Sequence, residues 1–390
     1  MKQKMSVMKC CIIWVRRGIT LIELLIVLLI IAVVGMAIIG RMLSGIERAR
    51  LLAAAKQVVS HIRLAQERAK LEQRNYTVEF DAENETYKIY QAGLSFDGVD
   101  DYVSISGITN FTTSFSVEAW VKTTDTGGRI VADDDNNAGW AISMGDPGSG
   151  RLRFFIRGKT TVSLDGTTAI NNGNWHHVVA VYDSVNNSRY IYLDNNVEAS
   201  LTSDTGTPTT DSGPISIGGE TSASAEYPGT QLTALISEVR IYNRALTSQE
   251  IQYSYTYKKP MNRAGLVGWW RLDEGQGTTA LDSSGYGNNG TISGATWSQG
   301  VIGYLKDPAK GYQDINYDFD NLPEFKGVAI STVDFDGTTI TNSSKFSFNS
   351  AGRPIVGTEN LSADGTVVLT CGNYTITIKV KKITGEVTME

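Results

Sequence analysis

The rhythm of hydrophobic positions changes twice along the chain. From residue 19 to residue 39 almost every position is apolar, broken only by Thr20, Glu23 and glycine. About 20 such residues make a helix long enough to cross a bilayer, and Arg16 and Arg17 just before them place that end in the cytoplasm. From Leu51 the spacing becomes helical: Leu51, Ala55, Val58, Ile62, Ala65 and Ala69 recur at steps of four and three. Gln57, His61, Arg63, Glu67 and Lys70 lie off that stripe. One helix running to about Glu72 is therefore expected, roughly 80 Å long, with its stripe on a small sheet and His61 exposed to solvent rather than bound to a metal. After residue 75 the period falls to two. Tyr76, Val78 and Phe80 alternate, residues 81–86 turn, and Tyr87 and Ile89 return, which predicts a hairpin. Alternating segments then continue to the C-terminus between turns rich in Gly, Asn, Ser and Thr, and one of them puts Phe115, Val117, Ala119 and Val121 on a single face.

A chain of 390 residues is long for one domain and asks for two or three. Its net charge of −6 is uneven, because residues 1–18 carry Lys2, Lys4, Lys9, Arg16 and Arg17 and no acid; without them the charge is −11. So acidic a body argues against nucleic acid held by a global field. Of the three cysteines, Cys10 and Cys11 fall in the basic leader and only Cys371 follows, so the remainder has no internal disulfide and Cys371 reads as a small buried strand residue.

Glu23 stands inside the apolar run, where a carboxylate is costly and marks function. With Arg16, Arg17, Gly18, Ile19, Thr20, Leu21 and Ile22 before it, this stretch resembles the class III signal of type IV pilins and type II secretion pseudopilins. The resemblance implies cleavage by a prepilin peptidase between Gly18 and Ile19, and N-methylation of the new terminus at Ile19. It gives Glu23 an assembly role, pairing with a neighbouring subunit's terminal amine; a buried acid needs such a cation. Ile19 departs from the Phe usual in that family.

Two stretches resemble halves of one small pilin domain. The first is residues 74–91. The second is residues 306–390, where Phe346, Gly352 and Pro354, then the strand 374–380, then Thr384-Gly385-Glu386-Val387, are similar to the C-terminal sheet of H-type pseudopilins. Residues 92–305 lie between them. Their phrases 94–103, 115–121, 174–179 and 236–246 resemble the laminin G-like, concanavalin A-type jelly roll. Residues 266–275 through 297–300 look like the segment that usually opens that domain, here placed last. Either the jelly roll is circularly permuted or a second copy has been truncated. The expected architecture is thus an α+β pilin fold with an inserted all-β jelly-roll sandwich, divided as a leader (1–18), a transmembrane and amphipathic helix (19–73), a first sheet part (74–91), the insert (92–305) and a second sheet part (306–390).

A search for chemistry returns little. No trio of acids lines one face of a strand: Glu118 is alone in its strand and Glu238 has no acid two residues away. His176 and His177 belong to a strand phrase typical of the fold, so no enzyme is expected. Asp97, Asp100 and Asp101 around one turn, or Asp133 and Asp135, can supply hard oxygen ligands for calcium, or simply be solvated turns. Asn136 and Asn137, with Trp140 as a stacking platform, suggest the rim of a glycan- or protein-binding face; Trp120, Trp175, Trp269 and Trp270 read as core. Lys379, Lys381 and Lys382 form a short basic stripe. In some pilus relatives such residues bind DNA, although lysines guarding an edge strand are commoner.

The expected protein is a single-pass subunit of a bacterial inner membrane, N-terminus inside. It would partner other pilins or pseudopilins in a helical filament, served by the peptidase and an inner-membrane assembly platform. The bulk of the insert suits a minor subunit displaying a carbohydrate- or protein-binding jelly roll. An adhesin-type lectin pilin and a DNA-uptake pilin are the alternatives.

Overall fold

The computed structural model describes residues 20–390 apart from 109–110, 136–137, 147, 222–228, 312, 336–338, 341–342 and 357–358. Helix α1 spans Leu21–Glu72 without a break. Thr20 caps it, its side chain accepting the backbone N–H of Glu23 while the Glu23 carboxylate accepts the backbone N–H of Thr20. Gln73, in the left-handed region at φ 57°, ends it. The two halves of this helix meet different surroundings. Leu29, Ile31 and Met36 are more than 60% exposed, and the first half touches no core. Leu51, Ala55, Val58, Ile62, Ala65 and Ala69 are all at most 1% exposed, as their spacing predicted. α1 is long and apolar enough to cross a membrane.

His61 is a correction: it is 4% exposed, not solvated. Tyr87, Tyr317 and Asp307 cover the flank of α1 beside the stripe, so the buried arc takes in His61. Its Nδ1 lies 2.8 Å from the Tyr87 hydroxyl and its Nε2 3.1 Å from the Asp307 carboxylate. Burial lowers its pKa, against the pull of Asp307, which also accepts the Tyr317 hydroxyl at 2.7 Å.

Strand β1, Tyr76–Asp81, and strand β2, Thr86–Asp97, form the expected hairpin, with Val78 opposite Ile89 and Phe80 opposite Tyr87. Beyond β1 the sheet continues through Ser343–Phe348, Pro354–Val356 and Glu359–Asn360. The tail therefore does not form one sheet. Its strands Ala329–Asp334, Gly365–Cys371, Tyr374–Val380 and Val387–Met389 make a separate five-stranded sheet with Thr339–Ile340, and both sheets close on α1 around Phe80, Tyr87, Phe346, Val367, Leu369 and Ile378. Cys371 is buried there.

β2 does not stop where the hairpin ends. Its later residues pair with Thr296–Tyr304 and with Thr233–Tyr242, and the same sheet runs on through Phe115–Thr123, Trp175–Asp183, Ser188–Leu193 and Asn196–Thr202. A second, eight-stranded sheet faces it, with Tyr102–Ile105, Gly128–Asp135, Ala138–Gly145 and Gly148–Ile156 among its strands. The core between them holds Phe115, Val117, Ala119 and Val121, the face read from the sequence, with Leu94, Phe96, Trp140, Phe154 and Trp270. Each such large apolar side chain, fully buried, contributes roughly 1.5–3 kcal/mol. Residues 266–304 complete both sheets instead of standing apart: Leu266–Trp270 pairs with Thr233–Tyr242, and Gly290–Ser293 with Tyr102–Ile105.

Along β2 the side chains alternate sides. Tyr87 and Ile89 enter the core under α1, whereas Leu94 and Phe96, an odd number of steps further, enter the jelly-roll core. The two cores lie on opposite faces of one continuous strand.

Candidate functional site

The far end of β2 carries the acidic turn. Asp97, Asp100 and Asp101 each bring a carboxylate oxygen within 4.8 Å of the others, a group able to hold a metal ion among the described residues. Asp97 and Asp100 are exposed and Asp101 is buried. The turn is shaped from within: Asp101 Oδ2 accepts the Asp97 N–H at 2.7 Å, and Asp97 Oδ1 accepts that of Val99 at 2.8 Å. Burial, followed by the charges of Asp97 and Asp100, raises the pKa of Asp101, with the Asp97 N–H opposing. A cation at this point would relieve that repulsion.

Beside the turn opens a cleft of about 690 Å³, walled by Thr126, Gly127, Gly128, Arg129, Gly145, Asp146, Ser149, Thr230 and Gln231 among others. The two features share one scaffold. Thr233 donates its N–H to Asp125 at 2.9 Å and its hydroxyl to the Asp97 carbonyl at 3.1 Å. At Gly145, φ is +102° and an added Cβ would lie 2.7 Å from the Gly127 Cα, so two turns meet there backbone to backbone. The charges of the wall are neutralised locally. Arg129 bonds Asp134 at 3.2 Å, and Asp146 meets Arg153 at 2.7 Å. What remains is a polar groove of hydroxyls, amides and backbone groups, sized for a few small polar rings.

Other candidate residues fall elsewhere. Trp140 is 2% exposed and packs against Phe115 at 5.2 Å between ring centres, so it is core and no stacking platform. Its strand directs it inward, a parity the run of small residues around it concealed. Asp133, directly across from Trp140, is likewise buried. Burial, with Asp211 next in effect, pushes its carboxyl up to about 7. Asp133 does not join the acidic trio. Asn136, Asn137 and the side chain of Asp135 lie outside the described residues, as do Gly18 and Ile19. Glu23 sits in the first turn of α1, where both Thr20 groups donate to its Oε2 at 2.9 Å. Lys379 pairs with Glu390, Lys381 with Asp364 at 2.8 Å, and Lys382 donates to the Ser362 carbonyl at 3.0 Å. The basic stripe is thus compensated by its neighbours.

Reading along single strands missed a buried ionic cluster on the outer face of the large sheet. Glu118, His177 and Arg240 are fully buried, and Glu238 is 1% exposed. Helix α2, Ser248–Tyr257, covers them. Arg240 bonds Glu118 at 2.7 Å and also Glu238, while Glu118 takes further bonds from His177, Tyr242 and Ser254. Burial opposes the charge on Glu118, yet Arg240 and then His177 hold its pKa down to about 2. So acidic a carboxyl is no general acid. The cavity next to the cluster is about 10 Å³, room for a single water. Two carboxylates, Glu118 and Glu238, meet here around the Arg240 guanidinium.

The profile of the concanavalin A-like lectin/glucanases superfamily, in its laminin G form, matches residues 97–252. Similar solved structures include a Bacteroides ovatus protein provisionally assigned to carbohydrate binding, 18% identical at a TM-score of 0.45, the match covering 54% of this chain and 60% of that one. The chain thus spans under two thirds of that protein's length. The SAP-like pentraxin of Limulus polyphemus is 14% identical at a TM-score of 0.40, over 54% of this chain and 95% of the pentraxin. Domain 4 of an extracellular arabinanase from Geobacillus stearothermophilus is 20% identical at a TM-score of 0.31, over 43% of this chain and 75% of that domain. No curated protein matches the chain. Over residues 97–252 its all-β sandwich is similar to laminin G-like, concanavalin A-like jelly rolls.

Proposed function

Starting from a laminin G-like jelly roll carried on an apolar helix, we propose that this protein is a pilin-like minor subunit that displays a glycan-binding domain from a membrane-assembled filament. One observation supports it most: α1 is a single helix whose first half is bare and apolar while its second half is the spine of a folded unit. A bare apolar half needs lipid or the helices of neighbouring subunits, and residues 16–26 carry the processing signal for that route. In this reading residues 1–18 are removed, Ile19 is methylated, and Glu23 neutralises a neighbour's terminal amine. The paired Lys379, Lys381 and Lys382 favour this over DNA uptake. Residues 92–305 are the insert, circularly permuted, and the pairing of residues 266–304 into both sheets supports permutation over a truncated second copy.

The ligand-binding end is the acidic turn with its cleft. A groove whose described walls are mostly hydroxyls, amides and ion-paired groups suits a neutral saccharide, and the trio Asp97, Asp100 and Asp101 suits calcium. Two experiments test the reading. Mass spectrometry of the chain purified from its bacterial membrane should find the first residue to be methylated Ile19; a chain retaining residues 1–18 overturns the pilin assignment. Glycan-array binding, measured with calcium and with chelator, should give defined neutral sugars; no binding in either condition overturns the lectin assignment alone.

A further inference from the structure

The junction between the jelly roll and α1 has no linker. β2 crosses it as one strand from Thr86 to Asp97, with Tyr90, Gln91 and Ala92 buried. The returning strand Thr296–Tyr304 lies against β2 across the same line, with Tyr304 opposite Tyr90. Two antiparallel strands, hydrogen-bonded to each other, carry the chain both ways.

A second connection is ionic, and it leaves the jelly roll unfinished by itself. Strand Thr233–Tyr242 pairs with β2 through Ile236 and with Leu266–Trp270 from Val239 onward; between those pairings it bulges. Glu238 sits on the bulge at φ 56°, a backbone state that a non-glycine residue holds only when its surroundings impose it. Glu238 Oε2 takes Arg240 and the Trp269 indole N–H, the latter at 3.0 Å. Its other oxygen, Oε1, faces Arg74, 3.1 Å away and 7% exposed, from the residue pair that follows α1. Arg74 also donates to the Lys258 carbonyl at 2.7 Å, and Arg240 to the same carbonyl at 2.6 Å, so the end of α1 caps the C-terminus of α2. The next residue repeats the pattern: Asn75 donates its N–H to the buried Asp273 carboxylate at 3.0 Å. Lys345, from the strand beyond β1, donates to the Gly275 carbonyl at 2.8 Å.

We propose that Arg74 is a positioning residue of the jelly roll, supplied by the helix, and that the jelly roll and the helix–sheet unit therefore fold and open as one cooperative body despite their separate cores. Without Arg74, Glu238 Oε1 is a buried carboxylate oxygen lacking its cation, on a strained bulge, and α2 loses one of the two donors closing its end. Loss of one partner from a buried ion pair is strongly destabilising. The damage should be felt in the jelly roll, though the substitution lies outside it. The inference holds whatever ligand the jelly roll takes.

The test uses the full chain in detergent micelles. Calorimetry of the unaltered protein should show one transition; two well-separated transitions overturn the proposal, and this measurement needs no variant to fold. Amide exchange in Arg74→Met should rise about 10²- to 10³-fold along Thr233–Tyr242 and Leu266–Trp270, with Arg74→Lys intermediate. A rise confined to the last turn of α1 overturns it. Adding Glu238→Gln to Arg74→Met should recover part of the protection, because Arg240 then serves Glu118 alone and the charge that Arg74 offset is gone; strictly additive effects count against the coupling.

Discussion

Two groups of acids in this molecule are built on opposite principles. Glu118 and Glu238 are buried, and each meets a guanidinium within bonding distance. Asp97, Asp100 and Asp101 converge on one another at a surface turn, where their bonds are to backbone N–H groups of the turn itself. The first group has its cations built in and is closed to ligands. The second is a group that could hold a metal ion. Converging carboxylates point to a ligand site where the protein has not already supplied the counter-charge.

The sharpest way to break this comparison is at Glu118. Glu118→Ala leaves Arg240 buried beside a lost partner, and urea denaturation should show a loss of about 3–5 kcal/mol. A loss under 1 kcal/mol would mean the cluster is decorative. Asp133 comes next, as a buried acid that has no guanidinium. Its carboxyl, pushed up to about 7 by burial from an ordinary 3.8, binds its proton more tightly in the folded state. The stability it contributes is therefore complete below about pH 4 and lost as pH rises through 7, on the order of 2–4 kcal/mol. Asp133→Asn should flatten that stretch of the stability–pH curve; an unchanged slope would place the proton elsewhere. For the acidic turn, calcium should raise the melting point and Asp101→Asn should abolish the rise. At 100-fold excess over the dissociation constant the gain is about 2.7 kcal/mol. The smallest effect is expected at Lys381→Ala, whose exposed pair with Asp364 adds little to stability; the small shift in the urea midpoint should fade with added salt.

Much of the architecture could be read in the sequence because single periods wrote it. The stripe from Leu51 to Ala69 and the face from Phe115 to Val121 each keep one rhythm and point into one core. Reading failed where a residue's second face was also covered. His61 lies off the stripe but beneath Tyr87, Tyr317 and Asp307, and Glu118 lies on the polar face of its strand but under α2. A signal for the latter was present: Val178, Val179, Ala180 and Val181 are apolar without alternation, as in a strand buried on both sides. Trp140 misled for a related reason, since an aromatic near acids looks exposed until its parity is known. The acidic turn was legible because its residues are adjacent; its cleft was not, since the walls at residues 126–129, 144–146 and 229–231, with Ser149, come together only through the sheet.

β2 carries a rule about length as well as about shape. Because the two cores sit on opposite sides of this strand, one residue lost between Tyr90 and Leu94 would turn the whole jelly roll onto the side occupied by α1. A change of length there keeps both cores on their own sides only in steps of two, unless a bulge absorbs the odd residue. The same rule governs a cargo grafted in its place: a replacement domain entering through β2 has to match an even or odd count before its own fold or ligand matters at all.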